Sequence, residues 1–331
     1  GTWSIRKENY EDLYFPKSFS DTFKTRIDAL GDRQHGFLKV LSCFEGNARV
    51  DILRSLTGLK QKDFQQMVDA LDAKKLIIVG GTEQIAEYRV AEIEIQRYIY
   101  KSLDVDFKLD IHSKIAEKLK SLEKEESFDE LFYQFACSNN FDDLLEMVYS
   151  RLEKEKNKFS DSAILIIRKA YEVFSRSEHP GALEMLDKLC YSYLIQGDAN
   201  SLSSYIDKLE IMSIERSDEK YFIRSLLYRL EMTVRENDIP SSKRLIERIS
   251  ERIENTEFYE EHIYLQMLIA KFYLDIDNQP EALIAVGEGI RLSEKYEIKT
   301  YEGDLYNIRA ITKYMSGDAK TALLDFEAAL K

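Results

Sequence analysis

Four short turn motifs recur in this 331-residue sequence at a constant interval of 40 residues. They are Gly197-Asp198, Asn237-Asp238, Asp277-Asn278 and Gly317-Asp318. The first residue of each motif tolerates the left-handed backbone that ends many helices, and the second is a good cap for the next helix. The interval therefore predicts consecutive α-helical hairpins. Because such hairpins bury their apolar faces only against their neighbours, this feature favours a stacked array over a generic helical bundle whose turns are spaced by accident.

Small or apolar residues recur in register with these turns. Seven positions before the first turn residue lie Cys190, Leu230, Ala270 and Ala310, and five positions after it lie Leu202, Ser242, Ala282 and Ala322. The pattern resembles the tetratricopeptide repeat, in which paired helices cross at small residues. The last unit matches best, with Ala310, Gly317, Ala322, Phe326 and Ala329 at the family's small, turn, small, aromatic and small positions. Leu202 and Ser242 depart from the pattern and mark the earlier units as divergent copies.

The resemblance covers residues 181–331 and implies an α-α superhelix with a concave groove for a protein or peptide partner. The family's groove-facing positions correspond to Glu184, Asp187, Tyr191, Arg224, Glu231, Arg235, Tyr264, Lys271, Asp304 and Asn307. Mixed charges with tyrosines suit a peptide-binding surface. For any single one of these residues, a solvated helix face is an equally good interpretation.

Periodicity predicts a second kind of domain towards the N-terminus. Residues 34–44 carry Phe37, Val40, Leu41 and Phe44 at amphipathic helical spacing, and a short helix at about 49–56 closes at Thr57-Gly58. A third helix, from Gln61 to about Ala73, is followed by strand-like runs at 76–79 and 85–90 around the turn at 80–83. Helices followed by such a hairpin predict a winged helix.

Two roles are open for this winged helix. In a DNA-binding domain the third helix would enter the major groove and offer Lys60, Lys62, Gln65 and Gln66, with Lys74 and Lys75 at its end. Residues 60–75, however, hold four lysines against three aspartates, a net charge of only +1, and no arginine. The net charge of −13 for the whole chain also disfavours nucleic acid.

Landmarks between about Asp21 and Asn157 resemble the C-terminal half of signal-transduction ATPases with numerous domains (STAND), a group that includes large bacterial transcription activators. They are the turn Leu56-Thr57-Gly58-Leu59, the stretch from Leu71 to Ile77, Tyr88-Arg89 after the hairpin, Ile99-Tyr100 with Leu103, and the run from Ile111 to Leu119 with His112. Val90 replaces a family histidine. The resemblance implies a winged helix that packs between a nucleotide-binding part and a repeat sensor.

The sequence predicts neither a cofactor site nor catalysis. It contains no GxxxxGK[ST] loop, so ATP is expected only in an upstream domain outside this sequence. The histidines, His35, His112, His179 and His262, have no second ligand at metal-binding spacing. No GxSxG motif or cysteine with a histidine partner indicates an enzyme, and the expectation is a non-catalytic protein.

Composition completes the prediction of a mainly α fold, with a winged helix followed by the repeats. Only four prolines and 13 glycines interrupt the chain, so long helices are favoured. Cys43, Cys137 and Cys190 are scattered in apolar stretches, which predicts reduced, buried thiols and a cytoplasmic setting. No segment approaches the roughly 18 apolar residues of a membrane span. The predicted parts are a leader at 1–17, a winged helix at 18–104, transition helices at 105–180 and repeats at 181–331.

Three functions fit this organisation. The leading hypothesis is a regulatory or sensor arm of a STAND ATPase that binds a protein or peptide in the repeat groove. The alternative is a stand-alone transcription regulator, with a DNA-binding winged helix and peptide-sensing repeats. The third is a scaffold without switching. The sequence also leaves self-association open.

Overall fold

The computed structural model describes residues 24–81, 86–121, 128–155, 157 and 159–330. These residues are mainly α-helical, with one small antiparallel sheet, as predicted. They form two compact units divided between Met147 and Val148, a position inside a helix. The predicted leader at 1–17 lies outside the described residues. The predicted boundaries after residues 104 and 180 stay predictions.

Unit 1 follows the predicted order of helices and hairpin. Its elements are α1 (Asp32–Ser42), β1 (Ala48–Arg49), α2 (Val50–Thr57), α3 (Gln61–Ala73), β2 (Ile77–Gly81), β3 (Ala86–Val90), α4 (Ile93–Ser102), α5 (Val105–Lys120) and α6 (Phe128–Cys137). The antiparallel sheet has the order β1-β3-β2, and Ile77 pairs with Val90. Residues 82–85, which the sequence assigned to the hairpin turn and the start of the second strand, lie outside the described part.

The core of unit 1 forms on the predicted apolar faces. Phe37, Val40, Leu41 and Phe44 are all buried, and Phe37 packs against Phe64 of α3 with ring centroids 5.6 Å apart. Each such side chain contributes about 1.5–3 kcal/mol through removal from water. The predicted Gly58 turn has φ of 64°, which ends α2 in the left-handed region.

Unit 2 contains four consecutive helical hairpins. They follow α7 (Phe141–Lys154), which contains the division between the units, and α8 (Asp161–Arg176). Hairpin 1 consists of α9 (Gly181–Gln196) and α10 (Ala199–Glu215), and hairpin 2 of α11 (Glu219–Arg235) and α12 (Ile239–Ile253). Hairpin 3 consists of α13 (Tyr259–Asp275) and α14 (Gln279–Tyr296), and hairpin 4 of α15 (Glu302–Met315) and α16 (Ala319–Ala329). The first helices of successive hairpins pack against one another. We call α9, α11, α13 and α15 the inner layer.

All four turn motifs adopt the predicted backbone. Gly197, Asn237, Asp277 and Gly317 have φ of 74°, 55°, 61° and 88°, all in the left-handed region. The following Asp198, Asp238, Asn278 and Asp318 each accept a hydrogen bond from the backbone N–H three residues later. Each cap stabilises its helix by about 1 kcal/mol. The turn prediction is confirmed in every hairpin.

The crossing positions are buried, as the spacing predicted. Cys190, Leu230, Ala270 and Ala310 are 0% exposed, and Leu202, Ser242, Ala282 and Ala322 are at most 3% exposed. Ser242 departs from the repeat pattern, and its hydroxyl lies 3.0 Å from that of Thr233 within the same hairpin. The hydrogen bond satisfies a hydroxyl that would otherwise be costly to bury.

The three cysteines differ in burial. Cys43 and Cys190 are buried, as predicted, whereas Cys137 is half-buried, and none is in a disulfide. Burial raises the pKa of the Cys43 thiol to about 12 and that of Cys137 to about 11. Both thiols are therefore protonated and weakly nucleophilic near neutral pH. In the described part of the chain, no helix is long and apolar enough to cross a membrane.

Candidate partner-binding groove

The ten predicted groove residues all lie on the inner layer, but their exposure differs widely. Tyr191, Arg235, Asp304 and Asn307 are exposed, and Glu184, Asp187, Arg224 and Lys271 are half-buried. Glu231 and Tyr264 are buried. The inner layer therefore contains both accessible residues and residues that hold its helices together.

Arg224 connects three successive helices of the inner layer. Its Nε donates to Asp187 Oδ1 of α9 at 2.6 Å, and its Nη1 donates to Glu261 Oε1 of α13 at 3.0 Å. The Tyr228 hydroxyl also donates to Asp187 Oδ1, at 2.9 Å. Burial alone would lower the pKa of Arg224, but the charge of Asp187 raises it overall. We call Asp187, Arg224, Tyr228 and Glu261 the Arg224 cluster.

A second group of polar contacts surrounds Glu231 of α11. Its carboxylate accepts hydrogen bonds from Arg235 Nη2, at 2.6 Å, and from the Tyr264 hydroxyl of α13. Lys271 Nζ lies 3.9 Å from Glu231 Oε1. Burial, and next the charge of Glu231, raise the pKa of Tyr264. Four predicted groove residues are thus brought together, with Glu231 and Tyr264 in the interior of the group.

Tyrosine rings continue along the inner layer. Tyr264 stacks on Tyr301 with centroids 4.8 Å apart and an angle of 8°, and Tyr228 meets Tyr264 edge to face at 6.3 Å. Such pairs contribute about 0.5–1.5 kcal/mol beyond the area they bury. The sequence prediction did not include Tyr228, Glu261 or Tyr301. A signal for Glu261 exists, because Asp187, Arg224 and Glu261 follow one another at intervals of 37 residues.

The first and last hairpins also influence one another electrostatically. After burial, the charge of Asp304 is the largest cause that raises the pKa of Tyr191. Burial likewise raises the pKa of Tyr301, and the charges of Asp187 and Tyr191 contribute to this increase. The charge of Asp304 on α15 is therefore felt by Tyr191 on α9, and Tyr301, directly before α15, stacks on Tyr264 of α13.

A cavity of about 370 Å³ opens beside the Arg224 cluster. It is lined by Tyr149, Leu152, Glu153, Phe159, Ile167, Asp187, Lys188, Tyr191, Ser192 and Arg224. Phe159 meets Tyr191 edge to face at 5.5 Å, and Lys188 Nζ lies 4.8 Å from the centre of the Tyr149 ring. The Tyr149 hydroxyl donates to Glu184. Aliphatic and aromatic walls with charged residues of both signs suit one side chain of a bound peptide.

A second cavity lies on hairpin 4. Its volume is about 480 Å³, and two predicted groove residues, Asp304 and Asn307, line it together with Phe326 and Leu330. Leu330 is 89% exposed. This cavity places the last two predicted residues on an accessible part of the inner layer.

The helix considered for DNA contact presents its predicted face to solvent. Lys60, directly before α3, and Lys62, Gln65 and Gln66 of α3 are all exposed. Gln65 Nε2 donates to Asp69 Oδ1 at 2.8 Å, so an acidic residue shares this face. The exposed face of α3 therefore has the mixed charge that the sequence indicated.

One of the four histidines, His112, is part of the interior of unit 1. His112 is 0% exposed, and its Nδ1 lies 2.6 Å from Gln134 Oε1 and its Nε2 2.9 Å from the Tyr100 hydroxyl. Because Gln134 Oε1 only accepts, Nδ1 donates, and the neutral ring accepts at Nε2. Burial lowers the pKa of His112. No group of three or more potential metal ligands occurs among the described residues.

Comparison with known proteins gives one structural similarity. No protein-family model matches the sequence, and no curated protein is similar to it. The crystal structure of a signal transduction ATPase with numerous domains (STAND) protein with a tetratricopeptide repeat sensor, from Pyrococcus horikoshii, is similar with a TM-score of 0.42 and 14% identity. The match covers 97% of this chain and 54% of that chain. This chain therefore spans about half the length of that protein.

Proposed function

We propose that this chain is a non-catalytic regulatory module that binds a protein or peptide partner on the inner layer of its repeats. The observation that carries the proposal is the Arg224 cluster, which joins side chains of hairpins 1, 2 and 3 beside a cavity of about 370 Å³. Hydrogen bonds within the cluster fix the positions of its side chains, and a preformed surface binds a peptide at a lower entropic cost than a mobile one.

The proposal extends to the context of the module. We place it as the C-terminal arm of a cytoplasmic STAND ATPase, in which partner binding shifts the balance between a silent and an active form. The motifs between about Asp21 and Asn157 and the tetratricopeptide-like repeats support this placement. In that context unit 1 is a winged helix with a packing role. A coding sequence that lacks a phosphate-binding loop upstream of Gly1 would contradict the placement.

Peptide selection tests the binding function. Random dodecapeptides displayed on phage would be selected against the intact chain and then against two double variants. Tyr191→Ala/Asn307→Ala changes exposed residues of the inner layer, and Ile211→Ala/Ile214→Ala changes exposed residues of α10 as the matched control. We expect selected peptides to lose affinity for the first variant and keep it for the second. Failure to enrich any peptide, or equal loss on both variants, contradicts the proposal.

Exposure of Lys60, Lys62, Gln65 and Gln66 is the observation that favours a second candidate, a transcription regulator that contacts DNA through α3. Binding of mixed-sequence duplex DNA measured over a range of salt concentrations separates the two. Affinity that falls steeply with salt and is lost in Lys60→Ala/Lys62→Ala supports the DNA-binding candidate, because phosphate contacts release counterions. Absence of binding at low salt removes it.

A further inference from the structure

Carboxylates outnumber cations around the Arg224 cluster. Arg224 bonds to Asp187 and Glu261, and Glu260 Oε2 lies 3.9 Å from Arg224 Nη1. The next cation, Lys220, has its Nζ 3.9 Å from Glu261 Oε1 and is half-buried. Three carboxylates therefore face two cations. We call these five residues, together with the exposed Asp304 of the neighbouring α15, the acidic site, which has four carboxylates, two cations and a net charge of −2.

One buried oxygen of the acidic site has no donor. Glu261 is 1% exposed, and its Oε2 has no hydrogen-bond partner among the described residues. Buried carboxylate oxygens in folded proteins nearly always accept a hydrogen bond. This observation is independent of the charge balance, and it indicates that hydrogen bonds from the described residues compensate the charge of Glu261 only in part.

Tyrosines border the acidic site. Tyr191, Tyr221 and Tyr301 are close enough to its carboxylates that Asp187 or Asp304 contributes to raising the pKa of each phenol, after the larger effect of burial. The faces of tyrosine rings attract organic cations. The adjoining cavity offers Leu152 and Ile167 as apolar surface for an aliphatic stem.

The two cations that line the cavity are both engaged. Arg224 is held between Asp187 and Glu261, and Lys188 lies over the Tyr149 ring. Glu153, also in the lining, is exposed at the cavity edge. Negative charge is therefore the available charge on this part of the inner layer.

We propose that the partner inserts a basic side chain, arginine or lysine, into the acidic site. The inference rests on the proposed function and specifies the partner as a cationic peptide or protein segment. The stem lies along the cavity wall, and the charge of the guanidinium or ammonium group, placed beside Asp187 of the cavity lining, offsets the excess of carboxylates around Arg224. The chain's net charge of −13 would also attract such a partner before contact.

Fluorescence polarisation with defined probes tests this inference. The probes are fluorescein-labelled peptides of four Gly-Arg, four Gly-Lys, four Gly-Glu or four Gly-Tyr repeats. The test variant Glu260→Gln/Asp304→Asn removes two accessible carboxylates of the acidic site, and Glu247→Gln/Glu251→Gln removes two exposed carboxylates of α12 with the same change in net charge. We expect the basic probes to bind at least about tenfold more tightly than the Gly-Glu probe, and the test variant to weaken them about tenfold. The control should change their affinity less than about twofold.

The outcomes distinguish this inference from the proposed function. If both double variants lose basic-probe binding equally, the probes are attracted by the net charge of the whole chain and not by the acidic site. That result overturns the inference. Binding of the Gly-Tyr or Gly-Glu probe that depends on Tyr191 overturns the inference while the partner-binding function stands. Absence of binding by the basic probes also overturns it, and the partner-binding function is then judged by the phage selection alone.

Discussion

Replacing Arg224 with methionine is expected to destabilise unit 2 by about 3–5 kcal/mol, because the change removes the cation that is hydrogen-bonded to the half-buried Asp187 and the buried Glu261. Methionine keeps much of the unbranched stem and removes the guanidinium. Glu261 would lose the Arg224 hydrogen bond, the only one to a described residue that its carboxylate makes. Asp187 would keep the hydrogen bond from the Tyr228 hydroxyl. Most of the loss of stability therefore comes from Glu261. An unsatisfied neutral group costs about 1–3 kcal/mol when it is buried, and an unsatisfied buried charge costs more.

The measurement is the free energy of unfolding in urea, followed by far-UV circular dichroism. Arg229 on the same helix provides a matched control, since its Nη2 lies 2.6 Å from Asp207 Oδ1 and 2.7 Å from Glu210 Oε2. Its side chain is 34% exposed, against 14% for Arg224. Water screens the exposed ion pairs, and Arg229→Met should therefore cost only about 0–1 kcal/mol.

A second substitution tests the stated cause. Adding Glu261→Gln to Arg224→Met should recover part of the lost stability, because the neutral amide removes the unpaired charge, and the two changes should be non-additive. Equal losses of stability for Arg224→Met and Arg229→Met would show that burial does not strengthen the Arg224 ion pairs. A loss below about 1 kcal/mol for Arg224→Met would show the same.

Three further predictions concern packing, turns and pH. Gly289→Ala should lower the free energy of unfolding in urea by about 1–3 kcal/mol, because the new Cβ would lie 2.7 Å from Leu305 Cδ2. Gly287→Ala on the same helix places its Cβ more than 4 Å from any atom outside its own turn of the helix and should raise that free energy by up to about 1 kcal/mol. A change of the same sign for both variants would contradict the packing. Gly317→Ala should lower the thermal midpoint through a loss of about 1–2 kcal/mol at its φ of 88°, and no change would argue against that backbone conformation. Stability should fall as pH drops below the ordinary histidine pKa of 6.5 towards the lowered folded-state pKa of His112, because the unfolded chain binds the proton more readily there. A urea series across that window should show the slope in the native chain and a smaller one in His112→Asn; equal slopes would count against the buried neutral ring.

Local rules account for how much of the fold was predictable. Few residue types tolerate a positive φ, and helix ends are therefore predictable at Gly197, Asn237, Asp277 and Gly317. The acidic or amide residue after each of them caps the next helix through a local hydrogen bond. The small crossing residues follow from the same 40-residue register. These features depend on neighbours within a few positions, which is why one sequence is sufficient to find them.

The site was less predictable because its contacts join separate hairpins. The sequence identified Glu231 and Tyr264 by position, but it could not show that Tyr264 is buried and donates to Glu231 of the preceding hairpin. Glu261 was missed because one glutamate among 60 acidic residues carries no local signal of burial. Its interval of 37 residues from Arg224 becomes informative only once the first helices are known to pack against one another.

The central claim is that partners bind on the inner layer of the repeats. Hydrogen exchange of the intact chain, with and without a peptide selected by phage display, tests it most directly. We expect added protection in α9, α11, α13 and α15, strongest around the Arg224 cluster. Protection confined to α10, α12, α14 and α16, or to unit 1, would contradict it.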